Sequence, residues 1–431
     1  MLHQRTIYNT FLRTRKMRVT SKEILFFFLL VFLSRFFMDE VYALSISPVF
    51  DYARMVNEST NSSTSLSWLV LFVLTLFACP FISSSKDDFI SSVVLVLFVI
   101  RVISFTSFIR FSPQPPLFVV YNVFYWCWFL LLLNSSAFSF SNGLKDKSNH
   151  IIVNVCAIVA IISVVIVSGV YTGFRLQFSL EDVYEIREEA RGYSVPFVLS
   201  YLTAATGNVI PVLVVYYIMR NNKWYVLALA FAGFLNFGIA GQKATLFKII
   251  ACVGMVFIKN KNLRSGIVPF CTAMLGLALG LYILFDNVAI SWVVVRRMFY
   301  IPNVIDSMYF DYFSSRSPLF FDSDATGQLA FDITTEYGGR EGARSNNGLF
   351  TDAFQNLGVL GLVIMPVVLT ILLKAFSQVL KRQPQSIAFF TAIVIATTLH
   401  GSLLTRCLFT HGFALLFVVL YFMPGLKIMK K

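Results

Sequence analysis

Charged side chains are scarce in this sequence of 431 residues. Asp, Glu, Lys and Arg together make up 13% of it, whereas hydrophobic residues make up 57%. Soluble domains contain about 25% charged and about 45–50% apolar residues. A water-soluble fold of this length could not bury so much apolar side chain, so the sequence predicts a protein whose main solvent is lipid.

Motifs for metal, redox and nucleotide chemistry are also missing. The six cysteines lie in or beside apolar runs without a Cys-x-x-Cys pair, and the four histidines include no His-Glu-x-x-His spacing. Gly241-Gln242-Lys243 lacks the spacing of an ATP-binding phosphate loop. We therefore predict no metal and no other cofactor. The net charge is +13, but the sequence contains no basic stretch interleaved with aromatic residues, which a nucleic-acid interface would need. Nucleic acid is therefore not a predicted partner.

What the sequence does contain is a series of apolar runs long enough to cross a bilayer, at about 17–25 residues each. They cover residues 24–38, 66–82, 89–109, 117–133, 151–170, 195–219, 224–240, 243–258, 266–285, 357–373, 386–403 and 407–424. The prediction is an all-α, polytopic integral membrane protein with about twelve transmembrane helices. No fixed-period repeat or long linker divides it, so we expect one membrane domain over residues 1–431.

The charge distribution predicts the orientation. With a cytoplasmic amino terminus, most Lys and Arg residues fall in short inner segments and most Asp and Glu residues fall outside. Both termini are then cytoplasmic, and two large outer (periplasmic) loops remain, at 171–194 and 286–350. Because long loops on a helical scaffold usually carry binding and chemistry, we expect the site at the outer face.

The loop at 171–194 contains a predicted short helix between Ser179 and Gly192. Arg187 and Arg191 share one of its faces. Two interpretations remain open: a solvated surface helix with ion pairs, or a cleft in which the two arginines bind an anion.

The loop at 286–350 begins with Arg296 and Arg297 among aromatic residues, followed by Tyr309 and Asp311. Such arginines could anchor the membrane interface. The planar guanidinium is also the side chain best suited to hold a phosphate or pyrophosphate, and we favour this interpretation.

The same loop ends in Asn346-Asn347-Gly348, followed by a span that begins Asn356-Leu-Gly358-Val-Leu-Gly361. Small residues at the head of a span allow close helix packing, which accounts for Gly358 and Gly361. Asn346 and Asn347 need another reason, such as a helix cap or a contact with a substrate hydroxyl. Arg35 and Arg101 lie within predicted spans. Each must therefore pair with another group, extend its guanidinium to the membrane surface, or contact water.

Several of these segments resemble the Wzy-type oligosaccharide repeat-unit (O-antigen) polymerases. They are residues 296–302, 309–313, 346–349 and 356–361, together with Gly241-Gln-Lys-Ala-Thr245, which is similar to the family's Gly-small-Lys/Arg-small turn. Arg316 and Gly327 fit an Arg-x10-Gly pattern of some polymerases. The related O-antigen ligases have a histidine before the Gly-x-x-Gly span, where this chain has Ser345-Asn346-Asn347, and this departure favours a polymerase.

The resemblance implies a glycosyltransferase of the bacterial inner membrane that joins polyprenyl-pyrophosphate-linked oligosaccharides at the periplasmic face. A chain-length regulator and a flippase are its implied partners. The candidate catalytic residues are Arg296, Arg297, Asp311 and Glu185. The candidate substrate-binding residues are Arg187, Arg191, Lys243, Tyr309, Arg316, Asn346 and Asn347. The alternatives are an O-antigen ligase or other lipid-linked glycosyltransferase, and a flippase for lipid-linked oligosaccharides.

Overall fold

A computed structural model describes most of the chain. The described residues are 20–83, 87–136, 138, 147–176, 186, 188–190, 192–241, 248–249, 263–338, 345 and 348–425. In these ranges all regular secondary structure is helical, without a strand. Seven helices are long and apolar enough to cross a membrane: Asn61–Ile82, Asp88–Phe111, Pro116–Asn134, His150–Thr172, Phe197–Met219, Leu263–Phe285 and Leu349–Leu380. The prediction of an all-helical, polytopic membrane protein is confirmed at this level.

Four more predicted spans coincide with helices outside that set. Ser21–Val41 contains several charged residues, and Lys223–Ala240, Gln385–His400 and Phe413–Phe422 are shorter. The predicted span 243–258 lies outside the described residues except at 248–249. The total of twelve spans and the orientation therefore stay predictions.

Local sequence signals explain where several helices begin. Thr20 and Glu23 form a capping box, in which the Thr20 hydroxyl accepts from the Glu23 N–H and the Glu23 carboxylate accepts from the Thr20 N–H. Prolines precede three other helices, at Pro115, Pro196 and Pro384. These caps and prolines set the residues at which the helices begin.

The predicted outer loop at 286–350 is largely helical. It contains a π-helix, Ser291–Tyr300, and two α-helices, Ile301–Ser314 and Ser323–Gly338. These helices are too polar to be predicted as membrane spans, so the hydropathy pattern alone predicts a loop. In the predicted loop at 171–194, residues 186 and 188–190 are helical and most of the remaining predicted helix lies outside the described residues.

The chain divides into two compact units. Unit 1 consists of the described residues of Met1–Ser135 and Arg264–Val304, and unit 2 of those of Ser136–Leu263 and Ile305–Lys431. The expectation of a single membrane domain stays a prediction.

A buried charge network lies in unit 1. The Asp39 carboxylate accepts hydrogen bonds from Arg35 Nε at 2.8 Å, Ser107 Oγ at 2.5 Å and Arg110 Nη1 at 2.5 Å. The Tyr300 hydroxyl lies 2.8 Å from Ser107 Oγ. Arg35 and Asp39 are 0% and 1% exposed. Arg35 is therefore paired inside the protein, which decides between the alternatives that the sequence left open for it.

A break in the helix Leu349–Leu380 dominates unit 2. Gly358 has φ 58° and ψ −139°, a conformation that is essentially restricted to glycine. It separates a half-helix, residues 349–357, from a span, residues 359–380. A Cβ atom on Gly361 would lie 1.9 Å from the Ala353 carbonyl oxygen, so the half-helix and the span approach closely. The predicted close packing at Gly361 is confirmed, whereas Gly358 supplies the turn.

Adding one methyl group at Gly361 should be strongly destabilising. Gly361→Ala forces the Ala353 carbonyl to move, and we expect a loss of about 2–4 kcal/mol from overpacking. The thermal midpoint of the purified protein in detergent measures it. Gly280→Ala is the matched control, since a Cβ there meets nothing within 4 Å. Equal midpoints for the two variants would contradict the close approach.

Neutralising Asp39 should destabilise unit 1. Asp39→Asn keeps the side-chain size but leaves the buried Arg35 without a counter-charge, at a cost of about 3–5 kcal/mol. The same melting experiment should show a large drop. Asp51→Asn is the control, since Asp51 is exposed. If both variants melted like the wild type, the network would not support the fold.

Candidate functional site

The half-helix in unit 2 is buried on all sides along residues 349–356 and carries four polar side chains on one face. Thr351, Asp352, Gln355 and Asn356 are each at most 2% exposed. A helix that is buried all round is normally apolar, and each buried polar group needs a hydrogen-bond partner. The partners of these side chains define the candidate site.

Asp352 is the centre of this cluster. Its carboxylate accepts from the backbone N–H of Leu404 at 2.6 Å and from Asn356 Nδ2 at 2.7 Å. The neighbouring Thr351 hydroxyl donates to the carboxylate of Asp306, on the helix Ile301–Ser314. Two buried carboxylates therefore tie the half-helix to the two segments that flank it.

Two further contacts join the helix Ile301–Ser314 to the end of the long loop and to the half-helix. The Tyr309 hydroxyl lies 3.2 Å from Ser345 Oγ, and the rings of Phe310 and Phe354 stack at 5.3 Å. Burial raises the pKa of the Tyr309 hydroxyl to about 12. Tyr309 is 2% exposed, so its ring packs inside unit 2 in this structure and its predicted contact with a sugar stays untested.

Arg406 supplies positive charge beside the cluster. It lies on the short helix Leu404–Leu408, whose first N–H binds Asp352, and its side chain is exposed. It interacts electrostatically with Asp352, Tyr309 and His411. An exposed guanidinium beside a buried carboxylate is a group that a solvent-borne or lipid-borne anion can reach.

Lys248 adds a second cation to the same region. Its Nζ donates to Asn208 Oδ1 at 2.6 Å and to Thr398 Oγ1 at 3.2 Å. The Asn208 amide in turn donates to the His411 carbonyl at 2.8 Å. Lys248 and Arg406 both act electrostatically on His411, so each of the two cations lies in the surroundings of His411 in unit 2.

The predicted arginine pair lies in unit 1, on the π-helix Ser291–Tyr300. The guanidinium carbon of Arg296 stands 3.9 Å from the centre of the Phe50 ring, a cation–π contact, and Arg297 is exposed. This geometry is compatible with interface anchoring and with anion binding, and the choice between them stays a prediction.

Two other predicted site residues follow Tyr309 in unit 2. Asp311 is half-buried. Arg316 is exposed, lies 3.7 Å above the Tyr312 ring and has a nitrogen 3.7 Å from a carboxylate oxygen of Glu336. Arg316 therefore belongs to a surface ion pair in this structure. The roles of both residues in binding or catalysis stay predictions.

The remaining predicted site residues lie outside the described part of the chain. They are Glu185, Arg187, Arg191, Lys243, Asn346 and Asn347. Near the first three, Arg175 and Tyr193 hydrogen-bond to the Glu189 carboxylate at 2.7 Å each and lower its pKa. An ion pair of this kind fits the surface interpretation of that loop.

Sequence reasoning missed Asp352 and passed over Lys248 and Arg406. A signal was present: an ionisable side chain inside or at the head of a predicted span is costly, and is by default a functional candidate. Asp352 stands between the Asn346-Asn347 and Asn356 segments, and Lys248 stands within 243–258. The sequence did not show which distant residues these side chains contact.

Comparison with known proteins gives no match for this chain, whether with protein families, curated proteins or solved structures. The site is therefore interpreted from its own geometry and from the motifs in the sequence.

Removing the Asp352 carboxylate should loosen the cluster. Asp352→Ala leaves the buried Leu404 N–H without an acceptor, a loss that costs about 1–3 kcal/mol, and leaves the Asn356 amide nitrogen only the backbone carbonyl of residue 352. We expect a clear drop in thermal midpoint, partly recovered in Asp352→Asn, which keeps one acceptor oxygen. Asp332→Ala is the control because Asp332 is exposed and its carboxylate accepts a hydrogen bond from Gln328. Similar midpoints for Asp352→Ala and Asp332→Ala would contradict this account.

Proposed function

We propose that the protein is a Wzy-type polymerase of polyprenyl-pyrophosphate-linked oligosaccharide repeat units. The observation that carries the proposal is the packing of the resembling segment 309–313 against residues beside and between the resembling segments 346–349 and 356–361 in unit 2. Tyr309 contacts Ser345, directly before the first of these segments, and Phe310 stacks on Phe354, between the two. Arg406 acts electrostatically on Tyr309 and on Asp352, and a pyrophosphate substrate requires such a cation.

The proposal includes a topology and a location. The chain crosses the bacterial inner membrane about twelve times, with both termini in the cytoplasm. The loops at 171–194 and 286–350 lie in the periplasm. Support comes from the positive-inside distribution of Lys and Arg and from seven helices of spanning length and composition. The product is O-antigen or capsular polysaccharide, made together with a chain-length regulator and a flippase.

In the proposed reaction, a hydroxyl of one lipid-linked repeat unit attacks the anomeric carbon of the growing chain. A new C–O glycosidic bond forms, and the bond from that carbon to the pyrophosphate oxygen breaks. Polyprenyl pyrophosphate leaves with the bonding electron pair, and the hydroxyl proton passes to a carboxylate base. The activated glycosyl phosphate provides the driving force, so no ATP is consumed.

Arg406, beside Asp352, and Lys248, beside Asn208, are cations that suit the leaving group. Preorganised positive charge of this kind stabilises a departing pyrophosphate. Arg296 and Arg297 stay candidates for the same task. Asp352 is fully engaged with Leu404 and Asn356, so we assign it a positioning role. Asp311 and Glu185 remain the candidate bases.

One observation favours a second candidate function. Transporters often bind their substrates where a membrane helix is interrupted, and the helix Leu349–Leu380 is interrupted at Gly358. A flippase for the same lipid-linked oligosaccharide would also need cations for the pyrophosphate. Against it, the sequence contains no detectable repeat of the kind that builds most transporters.

A surface-polysaccharide gel distinguishes these functions. Cells that lack the gene are complemented with the wild type, with Arg406→Gln, with Lys248→Met, or with Arg296→Ala plus Arg297→Ala. We expect the deletion to reduce the ladder to a core with one repeat unit, and the wild type to restore it. Loss of one cation at the leaving group should reduce long chains by about 100-fold.

Lys381→Met is the matched control, since Lys381 is an exposed lysine at the far end of the helix Leu349–Leu380. It should restore the ladder fully. An immunoblot of the membrane fraction checks that all variants accumulate equally. If no repeat unit reaches the surface in the deletion strain, export or ligation has failed, and the flippase or ligase alternative replaces the polymerase.

A further inference from the structure

The turn between the helices Ile301–Ser314 and Ser323–Gly338 has an unusual backbone. Its consecutive residues Phe320 and Phe321 both have positive φ, at 49° and 66°. This left-handed region is unfavourable for a bulky L-residue, and such residues persist only when the surrounding structure fixes them. Two in succession indicate that the turn is held from outside.

The groups that hold it belong to the half-helix. The backbone N–H groups of Leu319 and Phe320 donate to the carbonyls of Gln355 and Asn356, at 2.9 and 3.0 Å. The N–H of Phe321 donates to the Asn356 side-chain oxygen at 3.2 Å. Pro318 packs at van der Waals distance from the Gly358 position. The turn thus donates hydrogen bonds to carbonyls that the end of a helix leaves without an intrahelical partner. These bonds fix the turn beside the break at Gly358.

The side chains of the turn point away from this support. Phe320 is 70% exposed and Phe321 is 45% exposed, although both are large and apolar. The strained backbone therefore does not bury the rings in a core. Two adjacent phenylalanines directed outward from a fixed turn make an apolar surface that needs a partner.

The position of the turn identifies that partner. Residues 359–380 rise about 33 Å, close to the ~30 Å hydrocarbon thickness of a bilayer, so this span begins at the membrane boundary. Its first residues, Val359 and Leu360, are 54% and 59% exposed and therefore face lipid. Since the turn is bonded to residues 355 and 356, the phenylalanine rings lie at that level, where aromatic side chains concentrate in membrane proteins.

We propose that Phe320 and Phe321 form a lipid-inserted wedge at the membrane interface. The partner is the bilayer itself, at the boundary between headgroups and acyl chains. The wedge keeps the half-helix, and with it Asp352, at the level of the lipid headgroups. This assignment does not depend on the proposed function and holds equally for a polymerase and for a flippase.

Fluorine NMR tests the wedge in the full-length protein. A p-trifluoromethylphenylalanine replaces Phe320 in protein reconstituted into phosphatidylcholine–phosphatidylglycerol nanodiscs. We expect a lipid with a nitroxide on its upper acyl chain to broaden this resonance several-fold more than a water-soluble gadolinium chelate does. The same label at Leu360 is the lipid-facing control. The label at Glu336, an exposed position on the helix Ser323–Gly338, is the water-facing control.

A resonance at position 320 that is broadened mainly by gadolinium, as at position 336, overturns the proposal. A second measurement guards against a local effect of the label. With p-benzoylphenylalanine at position 320, illumination should give a protein–lipid adduct in the intact mass. A covalent dimer of the chain instead would assign the two rings to a protein interface and would equally overturn the wedge. Size-exclusion chromatography checks that each labelled protein is folded and monodisperse.

Discussion

A membrane helix can be interrupted only where other groups take over the hydrogen bonds of its free ends, since lipid offers none. Unit 2 meets this constraint at Gly358. The turn at 318–322 donates N–H groups to the freed carbonyls of the half-helix, and Asn356 and Asp352 complete the bonding with side chains. The broken helix, the strained turn and the polar cluster therefore depend on one another, and none of them is stable alone.

In unit 1 a buried carboxylate is stabilised by positively charged side chains. Arg35 and Asp39 lie on successive turns of one helix, and Arg110 and Ser107 complete the shell of the carboxylate. A buried pair of this kind contributes little net stability but becomes costly when one partner is lost. Both units thus hold a buried carboxylate with several hydrogen-bond donors from separate segments.

The sequence was sufficient for features that repeat along the chain. Apolar runs located the seven described helices that are long and apolar enough to cross a membrane, because composition over about 20 residues determines whether a helix enters lipid. The small residue at Gly361 also predicted close packing correctly, whereas Gly358 supplies the turn. The pairing of Asp352 with Leu404, or of Lys248 with Asn208, links positions about 40 or more residues apart that no local pattern connects. The sequence predicted a loop over 286–350, where the structure has helices, because a helix that is too polar to span a membrane gives no hydropathy signal.

Asn356 shows how narrowly chemistry can restrict a single position. Its amide nitrogen donates to Asp352 while its amide oxygen accepts from the Phe321 N–H. Aspartate has the shape but lacks the donor, leucine lacks both groups, and glutamine is one methylene too long for the same geometry. Natural variants of this chain should therefore keep asparagine at position 356 more strictly than other residues. Asn356 is buried, so neither its exposure nor its location would distinguish it from an ordinary residue of the interior.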